Sequence, residues 1–108
     1  MTIKYEIHLG TDAPHIDPVA AEDLARQLAA EAFPDGHSVR VEDGCWRSRL
    51  TGEVIQERTV VVTWLCSDST KAAGAAHAKV NRLAGSYKHL ARQESVMVTT
   101  QEVYTVMV

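Results

Sequence analysis

The segment from Val54 to Cys66 constrains the fold more than any other part of the chain. It is the stretch richest in β-branched residues, which favour strands, and from Thr59 onward it is apolar on both faces. Its side chains form two apolar sets, with Val60, Val62 and Trp64 on one face and Val61 and Leu65 on the other. A strand with no wet face is central in its sheet or covered on both sides, so a layered fold is expected around it.

Two further strands are predicted from the alternation of polar and apolar residues. Ile3–Leu9 alternates strictly, which is typical of a strand with one wet face. His37–Glu42 alternates over a shorter stretch and is followed by Asp43-Gly44, a dipeptide suited to turns. Trp46 then falls in a predicted turn region, and a polar connection through Thr51-Gly52 leads to the central strand.

Two helices are predicted from apolar residues at steps of three and four. Asp17-Pro18 supplies an N-cap and a first-turn proline for the first helix, and Phe33-Pro34-Asp35-Gly36 ends it. Ser67-Asp68-Ser69 offers several N-caps for the second. The predicted buried positions are Ala21, Leu24, Ala25, Leu28 and Ala32 in the first helix, and Ala73, Ala76, Val80, Leu83, Tyr87 and Leu90 in the second.

The last segment, Gln93–Val108, returns to strand character. Thr99–Glu102 is a candidate bend, so one long strand and a tight hairpin both remain open. The element order predicts an α+β fold, a ferredoxin-like βαββαβ sandwich with both helices on one face of the sheet. The other face would be exposed in a monomer, so we expect a homo-oligomer. Apolar residues near the C-terminus support that expectation: Val96, Val98, Val103, Val106 and Val108.

Composition and charge limit the classes of function. A chain of 108 residues with 45% hydrophobic content predicts one domain, residues 1–108. The net charge of −3 and the scattered basic residues argue against nucleic-acid binding. The sequence carries no apolar stretch of membrane-spanning length and no secretion signal, which favours a cytoplasmic protein. Cys45 and Cys66 are widely separated and are expected to be reduced, without a disulfide or zinc site.

Glu57 is the residue that core packing explains least. It shares a predicted strand face with Ile55, Thr59, Val61 and Leu65, which is mostly apolar. A buried carboxylate needs a partner or a ligand, or it becomes protonated, because desolvation of its charge is costly. The alternative is an exposed strand end, where Glu57 pairs loosely with Arg47, Arg49 or Lys88, and the pattern alone favours this alternative.

Other chemistry-bearing residues are less specific. Trp46 either lines a pocket or caps one end of the core, with no preference between the two. Tyr87 lies on the apolar stripe of the second helix, so its ring is expected in the core and its hydroxyl at the rim. No metal or cofactor site is expected, since the histidines lack ligand spacing. The histidines considered for a metal site are His8, His15, His37, His77 and His89. The glycines do not form a phosphate-binding loop.

Several short motifs resemble a widespread family of small uncharacterised bacterial proteins. They are Phe33-Pro34-Asp35-Gly36, Gly44-x-Trp46-Arg47, Glu57-x-Thr59, Tyr87-Lys88 and Gln93-Glu94-Ser95-Val96. This resemblance spans most of the chain but implies no activity.

A second resemblance is to the phage-encoded S-adenosylmethionine (SAM) lyases, formerly called hydrolases. These carry a Gly-Cys-Tyr-Arg segment and then a glutamate before a Thr-Val-x-Val strand, similar to Gly44-Cys45-Trp46-Arg47, Glu57 and Thr59–Val62 here. The interval of eleven positions from the aromatic residue to the glutamate also looks the same. A later Gln-x-x-Val-x-Val, Gln93–Val98, completes a similarity over the C-terminal two thirds of the chain. Trp46 departs from the tyrosine of the family.

The resemblance implies a fold, an activity and a set of site residues. The fold is a trimer of α/β sandwiches similar to the nitrogen-regulatory, GlnB-like signalling proteins, with active sites between subunits. The activity is cleavage of SAM to methylthioadenosine and homoserine lactone, without a cofactor, which in a phage would act against host restriction in the host cytoplasm. Glu57 would be the catalytic residue, and the expected substrate-binding residues are Trp46, Arg47, Tyr87 and Gln93.

Two other interpretations remain open from the sequence. A non-catalytic sensor or structural oligomer on the same fold would bind a nucleotide-like ligand between subunits without turnover. A ferredoxin-like dimer of the small-monooxygenase kind would need an aromatic substrate cavity, which a chain with only 6% aromatic residues favours less.

Overall fold

The described residues form one four-stranded antiparallel sheet with two helices. A computed structural model describes residues 2–12, 16–67 and 70–108, and for residues 70–73 it describes the helix but not the side chains. The elements in chain order are β1 (Thr2–Gly10), α1 (Pro18–Ala32), β2 (Ser38–Arg47), β3 (Val54–Ser67), α2 (Thr70–Leu90) and β4 (Met97–Val103). The predicted α+β, ferredoxin-like architecture is confirmed.

The strand that constrains the fold is central in the sheet. The strand order is β2-β3-β1-β4, and β3 pairs with β1 through Thr59–Ser67 and with β2 through Val54–Thr63. Its core face packs under the helices through Val60 and Val62, and Trp64 lies partly buried against them. Val61, on the opposite face, is also fully buried. The predicted central position of this strand is therefore correct, but Leu65, which lies on the same face as Val61, is 51% exposed, so the second half of β3 is not covered on both faces throughout.

The core lies between the sheet and one layer of two helices. Small residues of α1, including Ala25 and Ala29, let this helix approach the sheet closely. Phe33, at the C-cap of α1, is buried, and Tyr87 of α2 is the largest fully buried side chain. The buried cluster comprises Tyr5, Ile7, Leu9, Ala25, Ala29, Phe33, Val60, Val62, Ala76, Val80, Leu83, Tyr87 and Ala91. Leu90, predicted on the buried stripe, is instead 51% exposed.

The predicted end of the second strand is wrong. β2 continues through Asp43-Gly44 to Arg47, so Trp46 lies in a strand and not in a turn. Gly44 faces β3 so closely that an added Cβ would lie 2.6 Å from Thr59 Oγ1. The glycine therefore provides space within the hairpin, and the turn itself lies at Ser48–Glu53, where Gly52 has φ +76°.

The C-terminal segment forms one strand and not a hairpin. β4 is continuous through Thr99–Glu102, where a bend was a candidate, because these residues pair in unbroken register with β1. Val96 and Val98 pack against the chain's own core and so give no support to oligomer formation. The exposed apolar residues that remain at this end are Tyr104, Val106, Met107 and Val108.

The face of the sheet away from the helices carries charged side chains. Arg40 Nη1 lies 2.7 Å from Glu6 Oε2, and Arg40 Nε lies 3.2 Å from Glu42 Oε2. His8 Nδ1 is 3.9 Å from Glu42 Oε1. These long side chains surround the buried Val61, which pairs with His8 and Arg40 in register. Homo-oligomer formation over this face remains a prediction.

The expected N-caps Asp68 and Ser69 lie outside the described residues, as do residues 13–15 of the first loop, including His15. No helix in the described ranges combines the length and apolar character that crossing a membrane requires.

Candidate functional site

Glu57 lies on the helix-free face of β3, where the hairpin of β2 and β3 extends past the end of β1. Its register partner on β2 is Gly44, and Trp46 lies two residues further along the same face. Trp46 Nε1 donates a hydrogen bond of 2.6 Å to Glu57 Oε1. The backbone N–H of Asp12 donates one of 2.7 Å to Glu57 Oε2. Both carboxylate oxygens are therefore held by N–H donors, which fixes the side chain in one orientation.

The Glu57 carboxylate lies directly against the backbone of Gly10. A Cβ built on Gly10 would lie 2.2 Å from Glu57 Oε1 and 2.6 Å from its carboxyl carbon. Any other residue at this position would displace Glu57. The absence of a side chain at the end of β1 is thus what allows the glutamate to lie flat across the sheet.

The environment of Glu57 raises its pKa above the ordinary value of 4.5. Burial is the largest cause, since it penalises the charged form, and the Asp12 carboxylate adds a smaller effect in the same direction. The hydrogen bonds from the Asp12 N–H and from Trp46 oppose the shift. In the described part of the chain no ion pair involves Glu57. Its negative charge is held by neutral donors, so it remains available to a cation.

Tyr87 contacts the strand end that carries Gly10. Its ring is fully buried, as predicted, and its hydroxyl donates a hydrogen bond of 2.5 Å to the Gly10 carbonyl. Burial, with the charge of Glu57 as the second cause, raises the pKa of Tyr87 to about 12. The hydroxyl is therefore protonated at neutral pH and acts as a donor.

Gln93 contacts the backbone just after the same strand end, at Asp12. It is 8% exposed, and its Nε2 donates a hydrogen bond of 3.2 Å to the Asp12 carbonyl. Of the five predicted site residues, four thus converge: Glu57 and Trp46 touch directly, while Tyr87 and Gln93 hold the backbone against which Glu57 rests.

Arg47 is the predicted site residue that lies elsewhere. Its Nη1 donates a hydrogen bond of 2.7 Å to the Gly52 carbonyl, within the turn of the β2–β3 hairpin. It is the neighbour of Trp46 on a strand, so the two side chains point to opposite faces of the sheet. Arg47 therefore stabilises the turn instead of pairing with Glu57.

A shallow groove of about 560 Å³ lies along the same hairpin. Its walls come from three paired positions of the hairpin, which are Asp43 with Arg58, Gly44 with Glu57, and Cys45 with Gln56. The lining residues are Asp43, Gly44, Cys45, Gln56, Glu57 and Arg58. Strand alternation puts the side chains of Asp43, Cys45, Gln56 and Arg58 on the face opposite the Glu57 carboxylate, so this groove is not the space around that carboxylate.

Several residues of the site carried no signal in the sequence. Glu94 Oε1 accepts a hydrogen bond of 2.5 Å from Ser48 Oγ, and its Oε2 accepts one of 3.3 Å from the Arg49 N–H. Ser48 in turn accepts hydrogen bonds from the N–H groups of the hairpin turn. The one detectable sign in the sequence was Gly10. It follows the strictly alternating strand at a position that faces away from the core, where a missing side chain lets another side chain approach the backbone.

A metal site is not formed among the residues described: no three of their His, Cys, Asp or Glu side chains are grouped to hold an ion.

The comparisons with known proteins agree with the fold. The family model described as protein of unknown function (DUF3574) matches residues 4–106. No curated protein sequence matches the chain. A phage SAM lyase in complex with S-methyl-5′-thioadenosine is structurally similar, with a TM-score of 0.71 and 19% identity, over 94% of this chain and 81% of the lyase.

Two more solved structures extend this comparison. The phage SAM lyase in its apo state has a TM-score of 0.68 at 19% identity, over 98% of this chain and 89% of that one. A mutant of CutA1 from Pyrococcus horikoshii has a TM-score of 0.51 at 16% identity, over 99% of this chain and 87% of that one. At these identities the likeness establishes the shared fold.

Proposed function

We propose that this chain, which belongs to the DUF3574 family, cleaves S-adenosylmethionine to methylthioadenosine and homoserine lactone at a site that contains Glu57. The observation that carries the proposal is the carboxylate of Glu57, which is half-buried on the helix-free face and held by two N–H donors. The similarity in fold to a SAM lyase that binds S-methyl-5′-thioadenosine supports it.

The charge of Glu57 matches the substrate. SAM carries a sulfonium and an ammonium group, and a carboxylate in a partly desolvated site attracts a cation more strongly than it would in water. Each Glu57 oxygen has a second lone pair beyond the one used by Trp46 or Asp12. Glu57 can therefore bind a cationic group of SAM while it keeps its own orientation.

The reaction requires little from the protein beyond binding and orientation. The carboxylate of the substrate attacks its own γ-carbon, a C–O bond forms, and the C–S bond breaks with both electrons going to sulfur. The sulfonium becomes a neutral thioether, the carboxylate becomes the lactone, and no proton is transferred. Opposite charges are neutralised on the way, so a site that excludes water and folds the substrate lowers the barrier.

In this proposal Trp46 has two roles. Its indole N–H already fixes Glu57, which is a hydrogen bond that a tyrosine hydroxyl at the same position could also supply. The face of the ring would then lie against a cationic or adenine part of the substrate. The departure from the tyrosine of the lyase family is thus compatible with the same arrangement of the glutamate.

The proposed assembly is a homotrimer with the sites between subunits. The Glu57 carboxylate is only half-buried in a single chain. A neighbouring subunit packed on the helix-free face would cover it and exclude water. Sedimentation equilibrium tests this directly, since the trimer is expected and a dimer would instead favour a monooxygenase-like protein.

Product analysis tests the activity. The purified protein is incubated with SAM, and methylthioadenosine and homoserine lactone are measured by mass spectrometry in the wild type, in Glu57→Gln and in the control Glu102→Gln. Glu102 lies on β4 opposite Ile3, far from the site. We expect product from the wild type and the control, and about 100-fold less from Glu57→Gln. The assignment fails if the wild type forms no product or if Glu57→Gln forms as much.

Product analysis together with a thermal-shift measurement distinguishes the rival function, a non-catalytic ligand sensor. That protein would show a thermal shift with adenosine compounds and leave SAM intact.

A further inference from the structure

Gln93 and Glu94, the third and fourth residues after α2, contact both sides of the Glu57 site. One side, which we call the strand wall, is the end of β1 from Gly10 to Asp12. The other, the hairpin wall, is the end of the β2–β3 hairpin from Trp46 to Arg49. Gln93 donates to the Asp12 carbonyl of the strand wall, and Glu94 accepts from Ser48 and Arg49 of the hairpin wall.

We infer that Gln93 and Glu94 are positioning residues that together hold the strand wall and the hairpin wall at the spacing that Glu57 requires. Each wall supplies one of the two donors to Glu57, the Asp12 N–H from the strand wall and Trp46 Nε1 from the hairpin wall. The carboxylate spans the two walls, so its orientation depends on their separation. Two adjacent residues on one segment set that separation.

The end of α2 directs this pair. The Gln93 N–H donates to the Lys88 carbonyl at 3.0 Å and the Arg92 N–H to the His89 carbonyl at 3.4 Å, which is the hydrogen-bond pattern of a Schellman motif. Arg92 adopts the left-handed conformation that this motif needs, with φ +50°. Ala91 is fully buried and anchors the turn in the core. The helix end thus fixes the direction in which Gln93 and Glu94 leave it.

The burial of the contacts supports a positioning role. Gln93 is 8% exposed and Ser48 is 3% exposed, so neither contact is a loose surface interaction. The inference changes the expected role of Gln93 from substrate binding to support of the strand wall. It deepens the proposed function, on which its activity measurement rests.

Hydrogen exchange tests the inference without the activity. In the apo protein, exchange is followed at the Asp12 amide, the Trp46 indole N–H and the Arg49 amide in Gln93→Met, Glu94→Gln and the neighbouring control Ser95→Ala. We expect Gln93→Met to accelerate exchange at Asp12 about tenfold, and Glu94→Gln to accelerate it about tenfold at Arg49 and Trp46. Amides in the middle of the sheet, at Ile7 and Val62, and all sites in the control should stay unchanged.

Two results would overturn the inference: unchanged exchange in both variants, or equal acceleration at all sites including Ile7 and Val62. If Glu94→Gln does not fold, Ser48→Ala removes the same contact from the other partner. Formation of methylthioadenosine should fall about tenfold in both variants, in line with the loss of protection. A wild type without lyase activity refutes the proposed function and leaves the exchange result to decide the role of Gln93 and Glu94.

Discussion

The two tryptophans show how differently the two ends of the sheet are built. Trp64 lies on the helix side of β3, where it stacks on Phe33 with ring centroids 4.5 Å apart and contacts Tyr5 at 5.8 Å. Trp46 lies on the opposite face at the other end of the hairpin, and its indole N–H is bound to a carboxylate. One ring is used for packing and the other for holding a charge.

This difference extends to the residues around each ring. Near Trp64 the neighbours are aromatic and apolar, with Lys79 over the ring at 5.5 Å. Near Glu57 the strands carry Gly10 and Gly44, whose missing side chains make space, and the polar groups are paired. The end of the sheet with Trp64 is closely packed, whereas the end with Glu57 leaves room for a ligand and carries a negative charge without a cationic partner.

The largest expected effect on stability is at Trp64. Trp64→Ala should destabilise the protein by about 3 kcal/mol, because it removes the stack on Phe33 and leaves a cavity. Trp46→Ala should cost about 1 kcal/mol, since it removes one hydrogen bond at the rim. Urea unfolding of both variants measures the difference, and equal costs would refute the division between the two ends.

Gly10→Ala should change the stability of the protein little and its lyase activity strongly. The new methyl group displaces the Glu57 carboxylate, which is the far end of a flexible side chain, so the free energy of unfolding should change by less than about 1 kcal/mol. Lyase activity should fall by about 30-fold, or roughly 2 kcal/mol. Unfolding and product formation are measured on the same preparation. A variant with full activity would show that the position of Glu57 is unimportant.

The pH dependence of stability should report Glu57. Its folded pKa is raised above 4.5, so the folded protein binds this proton more tightly than the unfolded chain does. Stability from this group is present below pH 4.5 and is lost as the pH rises through the folded pKa. Glu57→Gln should lack this loss, while Glu102→Gln should retain it. Identical pH profiles for the wild type and Glu57→Gln would contradict the shift.

The smallest expected effect is at the end of α2. Arg92 holds a positive φ that glycine adopts without strain, so Arg92→Gly should stabilise the protein by about 0.5 kcal/mol. Thermal unfolding would show a small rise in Tm. A lower Tm would mean that the Arg92 side chain contributes more than the backbone conformation costs.

The strands and helices were predictable because their signals are local. The alternation of Ile3–Leu9 and the apolar β3 segment follow from which faces are buried, and both hold. The course of β2 through Gly44 was not predictable, because glycine is required there by the close approach of the Thr59 side chain on the neighbouring strand. A dipeptide that favours turns is overridden where the partner strand requires a missing side chain.

The site was predictable only in part, for a related reason. Glu57 stood out because a carboxylate on an apolar face needs an explanation, and Trp46 was connected to it by a matched interval. The Asp12 N–H and the Ser48–Glu94 contact join residues 45 and 46 positions apart in the sequence, and backbone donors have no sequence signature at all. Arg47 was expected in the site from the resemblance, and the structure places its side chain on the face opposite Trp46 because neighbouring residues alternate along a strand.

The indole N–H resonances test the central claim most directly, since each end of the sheet contributes one tryptophan. In a ¹⁵N–¹H spectrum of the uniformly labelled protein, S-methyl-5′-thioadenosine is added and both signals are followed, with assignments from Trp46→Phe and Trp64→Phe. We expect the Trp46 signal to shift on saturation while the Trp64 signal stays in place. A shift of Trp64 alone, or of neither signal, would contradict a ligand site at Glu57.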